Sequence, residues 1–149
     1  ILQRGNGNVT LTVAGSYGWQ SEGVWKSLTE GHYPYVKFEK APSDTRLVDL
    51  YSAADAFVMP SIYEGFGIPV LEAMQHSCCI VCSDIPVFRE LVDDCGIFFD
   101  PTDTLSMSNA LNSVVIEKSD TSERQKLSQI RGKRLMKTKN DFLRCFHFD

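Results

Sequence analysis

The sequence predicts an α/β fold, a parallel sheet covered by helices on both faces. Three observations lead there. Short apolar or β-branched runs recur along the 149 residues, among them 9–14, 56–59 and 78–82, and strands buried on both faces read as such near-continuous runs. Between them lie stretches with apolar residues three and four apart, the helical spacing. Strand and helix signals alternate, with no series of consecutive strands of the kind an all-β fold needs.

Residues 9–14 (VTLTVA) are the first clear strand and stop at Gly15. Residues 20–30 permit a helix, with Val24, Trp25 and Leu28 as its buried stripe and Gly31 closing it. Residues 35–38 are a second short strand. Ser43 or Asp44 then caps a helix that carries Leu47, Leu50 and Tyr51 on one face. A third strand, 56–59 (AFVM), ends at Pro60. A glycine-rich turn leads from it into a helix whose first turn holds Pro69, a residue favoured at the first helical position. Residues 78–82 (CCIVC) are the fourth strand. Pro86 opens a short helix through Leu91, with Asp84 placed to cap it. Residues 97–99 are a fifth strand. From about Thr104 a last helix sets Leu105, Ala110, Leu111, Val114 and Val115 on its apolar side. The expected organisation is one α/β domain over residues 1–118 and a polar, helical tail over 119–149. Parallel sheets of this kind bind ligands outside the carboxyl ends of their strands. The loops to search therefore follow Ala14, Phe38, Met59, Cys82 and Phe99.

Composition narrows the function. Apolar residues make up 43% of the chain and charged residues 23%, which excludes a disordered chain, a collagen and a multispan membrane protein. Fifteen basic against 19 acidic residues give a net charge of −4, so there is no general basic face for nucleic acid. Lys133, Arg134, Lys137 and Lys139 read as a solvated helix face or, alternatively, as a peripheral contact with an anionic membrane surface. No apolar run approaches the ~20 residues of a membrane span. The five cysteines, three of them in CCIVC, do not form the even, spaced set of a secreted disulfide framework. Cys79, Cys82, His76 and Cys95 lack a second pair with zinc-ligand spacing. The cysteines therefore read as reduced, mostly buried thiols, which places the chain in a reducing, cytoplasmic compartment. The start, ILQRGNGN, has neither a Met nor a signal-peptide pattern, and reads as the edge of a longer protein.

The turn after Met59 carries the chemistry: PSIYEGFGIPVLEAM, residues 60–74. Gly65 and Gly67 allow close backbone approach and positive φ. The amides around Gly67, Ile68 and Val70 should face outward at the N-terminus of the following helix, where roughly half a positive charge suits a phosphate. Pro69 has no amide to offer and needs none there. Glu64 precedes the helix and Glu72 lies one turn inside it, so both carboxylates can reach one cavity. A carboxylate accepts from two hydroxyls at once, as a ribose diol or a sugar requires. The combination suggests a nucleotide-sugar. The plainer reading is a capped helix with Glu72 on a solvated face and Glu64 as a partner of the helix dipole. Tyr63 and Phe66 read as packing around a donor or as core or rim residues, and His76 as a helix-end histidine or a residue near the cavity.

PSIYEGFGIPVLEAM, with seven residues between Glu64 and Glu72, resembles the signature of the retaining GT-B glycosyltransferases, family 4 in particular. LVDLYSAADAFVMPS before it, IVCSDIPVFRELVDDCGIFFDPTD after it and VAGSYGW near the start resemble the donor-binding domain of the same family. The similarity covers about residues 9–116. It implies a Rossmann-like domain, the carboxy-terminal half of a GT-B fold without its first strand. It implies sugar transfer from a nucleotide-diphospho-sugar to an acceptor with retention of configuration. By the same resemblance Glu72 would hold the ribose hydroxyls and Glu64 the hydroxyls of the donor sugar. The Phe66, Gly67 and Ile68 amides would contact sugar and phosphate. Gly65 and Gly15 would join the donor site, and Phe38 and Glu39 would line the base pocket. No metal or other cofactor is implied, and the implied partner is an absent amino-terminal acceptor domain. The alternative is a nucleotide-sugar-binding or partner-docking fragment without activity of its own.

Some residues depart from the family pattern. Its usual Arg and Lys pair beside the diphosphate would precede residue 1, and Arg4 is too close to strand 9–14 to stand in for it. Without the family's first strand, strand 9–14 is expected to have one bare edge. Ser77 and Cys79 stand where relatives carry a glycine and a proline. Lys40 replaces a common glycine, and the tail KNDFLRCFHFD does not resemble the family's last helix.

Overall fold

A computed structural model describes residues 2–5, 8–16, 23, 26, 27, 30, 33–116 and 126. They fall in two compact units, Ile1–Asp55 and Ala56–Asp149. No helix among the described residues is long and apolar enough to cross a membrane.

In the first unit, strand β2 (Asn8–Gly15) has a neighbour on each side. Strand β3 (Val36–Lys40) runs parallel to it, from Leu11 opposite Val36 to Gly15 opposite Lys40. Strand β1 (Leu2–Gly5) runs antiparallel, from Leu2 opposite Leu11 to Gly5 opposite Asn8. This corrects the expected bare edge and makes the sheet mixed. Its physical reason lies in the sequence between the strands, Asn6-Gly7, the dipeptide that favours a two-residue hairpin connection. LQRG has one apolar residue in four, too few to be read as a strand without its partner.

Helix α1 (Asp44–Ser52) starts at Ser43, whose hydroxyl accepts from the Arg46 amide at 3.2 Å. Ser43 is thus the cap, and Asp44 adds a favourable charge to the first turn. Leu50 and Tyr51 are buried. Gly23, Lys26, Ser27 and Glu30 are helical, whereas Val24, Trp25 and Leu28 lie outside the described residues. The tail beyond 116, with its basic cluster and Cys145, lies outside them too, save for helical Lys126.

The second unit holds β4 (Ala56–Met59), α2 (Ile68–Gln75), β5 (Cys79–Ser83), α3 (Pro86–Val92), a 3-10 turn (Asp93–Cys95), β6 (Gly96–Phe99) and α4 (Thr104–Ile116). The strands are parallel in the order β4-β5-β6. β5 is the middle strand and is buried at all five positions, which is why its sequence does not alternate. The helices supply the rest of the core. Val70, Leu71, Ala73 and Met74 of α2, Phe88 and Val92 of α3 and Val114 of α4 are all at most 1% exposed.

Three expectations need correction here. Asp84 does not cap α3; the cap position is Ile85, with no side-chain hydrogen bond, because the Asp84 carboxylate is taken by Arg89. Leu105 is 68% exposed and leaves the apolar side of α4 to Ala110 and Val114. At 3.6 residues per turn it sits roughly 140° around the helix from Ala110. Strand β5 begins at Cys79 because the Cys78 amide donates to the Ala73 carbonyl at 3.1 Å and closes α2.

Candidate functional site

Pro60 ends β4, and residues 60–67 carry the chain to α2. Among the described residues, no hydrogen bond or ion pair involves residues 62–66. Gly67 is the N-cap of α2, at φ 75° and ψ 40°. A Cβ there would meet Leu91 Cδ1 at 2.9 Å and Phe88 Cε1 at 3.0 Å. Glycine is therefore required twice, for the left-handed backbone and for the close approach of α3. Gly65 differs: its φ is not positive, and a Cβ there would meet nothing within 4 Å.

The helix N-terminus is open. A glycine cap brings no side-chain acceptor, and the first turn has no acid. The Phe66, Gly67 and Ile68 amides donate to no backbone carbonyl among the described residues. Pro69 is the second helical residue, one place later than expected. The Val70 amide is not available, contrary to expectation: it donates to the Gly67 carbonyl at 3.0 Å, and the Leu71 amide shares that acceptor at 3.3 Å. The last free amide is thus Ile68, whose side chain is 44% exposed.

Glu72, fifth in α2, is half-buried on the helix face opposite Val70, Leu71, Ala73 and Met74. Glu72 follows Ile68 by four residues, which places the two on one face of the helix. Glu64, three residues before Gly67, is half-buried as well. The structure so brings Glu64, Gly65, Phe66, Gly67, Ile68 and Glu72 onto one loop-helix segment at the carboxyl end of β4. Tyr63 is 87% and Phe66 49% exposed, so neither is a core residue.

Gly15, Phe38 and Glu39 lie in the first unit, at or near the carboxyl ends of β2 and β3. The Gly15 carbonyl accepts from Ala41 at 2.8 Å. The Glu39 carboxylate is paired with Arg46 of α1 at 2.5 Å, and this hydrogen bond holds its pKa below the usual carboxylate value. Cys78, Cys79, Cys82 and Cys95 are buried thiols in no disulfide, and no group of acids, histidines or cysteines fit for a metal occurs among the described residues. The polar pairs Glu39–Arg46 and Asp84–Arg89 escaped the sequence reading. Their spacings, seven and five, are not the helical three or four that flags an ion pair.

A family model, Glycosyl transferases group 1, matches residues 1–134. The chain belongs to this family. O-antigen chain mannosyltransferase B of Escherichia coli is 37% identical to it over 99 residues, 66% of this chain and 26% of that protein. O-antigen chain mannosyltransferase RfbU of Salmonella typhimurium is 42% identical over 79 residues, 53% of this chain and 22% of that protein. The matched part thus spans about a quarter of each of these curated relatives. Among solved structures, sucrose-phosphate synthase of Thermosynechococcus elongatus superposes with a TM-score of 0.73 at 23% identity, over 92% of this chain and 38% of that one. WaaG, a glycosyltransferase involved in lipopolysaccharide biosynthesis, does so with 0.70 at 19% identity, over 83% and 34%. The fold of this group 1 chain is accordingly α/β and Rossmann-like, of the GT-B type.

Proposed function

We propose that this chain is the donor-binding half of a retaining, family 4 hexosyltransferase that uses a nucleotide-diphospho-sugar. The observation that carries the reading is the open N-terminus of α2, with unpaired amides from Phe66 to Ile68 between Glu64 and Glu72. Preformed donors at a helix N-terminus stabilise the charge that builds on a departing diphosphate, with no reorganisation at the moment of reaction. In this reading Glu72 accepts from the ribose diol and Glu64 from hydroxyls of the sugar, which orients the anomeric carbon. Glu64 carries no proton transfer, and no protein nucleophile is needed. Phe38 would line the base pocket with the β3 backbone, and Gly15 would leave room beside it. Glu39 would contribute through its place on the strand, since its carboxylate is engaged by Arg46.

The printed names of the relatives favour mannose as the sugar and a bacterial surface polysaccharide as the product. The acceptor would be bound by an amino-terminal domain, in a cytoplasmic enzyme working at the membrane surface. A second reading, a donor-binding or partner-docking fragment inactive alone, is favoured by the quarter-length match to the relatives.

The test is thermal shift of the chain with GDP, UDP and ADP and their mannose and glucose conjugates, repeated with Glu72→Ala and Glu64→Ala. Stabilisation by one nucleotide, abolished in Glu72→Ala, is the expected result. Glu64→Ala should lose only the extra stabilisation given by the sugar. A folded chain that responds to none of the three nucleotides or their conjugates refutes the reading. Sugar release by the chain alone, against release only with an added amino-terminal domain, separates the two readings.

A further inference from the structure

The Gly67 turn has no side-chain cap, and beyond the bonds its own carbonyl accepts from Val70 and Leu71 it is shaped by the surface packed against it. That surface is α3, whose Phe88 and Leu91 side chains lie where a Gly67 Cβ would stand. α3 is held to the core by buried Phe88, Leu91 and Val92, but its own ends are weak. It has seven residues, no side-chain cap at Ile85 and an abrupt end at Asp93, where φ is +52°. Isolated helices this short do not hold their shape.

The polar anchor is Arg89. Its Nε and Nη2 donate to the two carboxylate oxygens of Asp84, both at 2.6 Å. Its guanidinium lies 4.0 Å over the centre of the Phe98 ring of β6. Asp84 is itself fixed, because its amide donates to the Phe99 carbonyl at 2.7 Å. The guanidinium is thus held by a two-pronged bond, which fixes an orientation and not merely a distance, and by its close approach to the Phe98 ring. Phe88 is the neighbour of Arg89 in sequence and Leu91 follows two places on. A rotation of α3 that breaks the Arg89 geometry must carry both away from Gly67.

We propose that Arg89, held by Asp84 and Phe98, is a positioning residue that sets the Gly67–Ile68 amides for the donor through Phe88 and Leu91. This deepens the donor-binding reading above and rests on it. The pair is half exposed, 55% at Arg89 and 45% at Asp84, so its loss need not unfold the chain. Arg89 touches no reacting atom in this account.

The test uses the chain with Arg89→Met, which keeps an apolar stem over Phe98, with Arg89→Lys, which keeps the charge but not the fork, and with the exchanged pair Asp84→Arg/Arg89→Asp. Two quantities are read in each: affinity for GDP, UDP and ADP by calorimetry, and ¹⁵N relaxation of the Phe66, Gly67 and Ile68 amides. Misplaced contacts far from a reacting centre can reduce function by orders of magnitude, so a loss of about tenfold in affinity is expected for Arg89→Met. It should come with new exchange broadening at the three amides while the melting transition stays cooperative. Arg89→Lys should fall between, and the exchanged pair, which restores the ion pair but not the contact with Phe98, should recover only part of the affinity. A folded Arg89→Met chain with wild-type affinity and unchanged amide relaxation overturns the proposal. If the wild-type chain binds none of the nucleotides, the donor reading fails, and the amide relaxation alone still decides whether Arg89 positions the turn.

Discussion

The two ends of α2 are built on opposite terms. The carboxyl end is closed: the Cys78 amide donates to Ala73 at 3.1 Å and the Ser77 amide to Met74 at 3.2 Å, the paired bonds of a Schellman motif. That closure is kept even though it puts Ser77 at φ +63°, where a glycine would be at ease. The amino end is open: glycine takes the left-handed position, and among the described residues no backbone carbonyl accepts from the amides around it. Strain is accepted at the closed end, and uncapped donors are accepted at the open one. Ser, Thr, Asp or Asn at the cap would satisfy one of these donors. Glycine stands there in this helix and leaves them to solvent or a ligand.

Gly67→Ala should have the largest effect. The added methyl must enter left-handed space and displace Leu91 and Phe88, contacts at 2.9 and 3.0 Å. Backbone strain and overpacking together predict a loss of about 3 kcal/mol, read as a lower urea midpoint with an unchanged slope. A variant as stable as wild type would mean that the amino end is not set by α3.

Next in size is a pH effect at the closed end. Burial pushes the Cys78 thiol up to about 12. The folded chain keeps it neutral, while an unfolded chain ionises it near its ordinary value of about 8.5. The stability it contributes is intact below that value and is lost as pH rises toward 12. Between pH 8 and 10 wild type should lose about 2 kcal/mol more than Cys78→Ala. Parallel pH profiles for the two would show that the carboxyl end admits water.

Much of this contrast was legible in the sequence, and its limits are physical. β4 came out at its observed bounds because AFVM is bracketed by Asp55 and Pro60, and the Ser43 cap followed from a short polar residue just before an apolar stripe. The glycine turn ahead of α2 was legible because glycine and proline placement is local. What failed turned on which group pairs with which. β1 needed its hairpin partner across Asn6-Gly7 to be recognised. The Val70 amide was lost to a bond made by the turn itself, and Asp84 was lost to Arg89 across the start of a helix. The same sequence reading marked Ser77 as a departure from its relatives but had no means of seeing that it is strained.

Ser77→Gly sharpens the comparison from the strained side. It should relieve left-handed strain but give back part of the gain through the greater freedom of the unfolded chain, for a net rise of about 0.5–1 kcal/mol. Donor affinity should not change, since no free amide lies at that end. A stabilised variant with altered nucleotide binding would join the two ends into one functional unit.

The smallest effect on stability should come from Gly65→Ala, and it is the one that separates the two glycines of the turn. No neighbour lies within 4 Å of the added methyl, and the backbone there is not left-handed. The change in unfolding free energy should stay within about 0.5 kcal/mol. Packing therefore gives no reason for glycine at this position, whereas a ligand lying against the backbone does. If the open amino end receives a diphosphate and its sugar, the methyl occupies their space and nucleotide-sugar affinity falls with no loss of fold. If affinity and stability both stay at wild-type values, the ligand approaches α2 from another side, and Glu64 loses its reason to stand where it does.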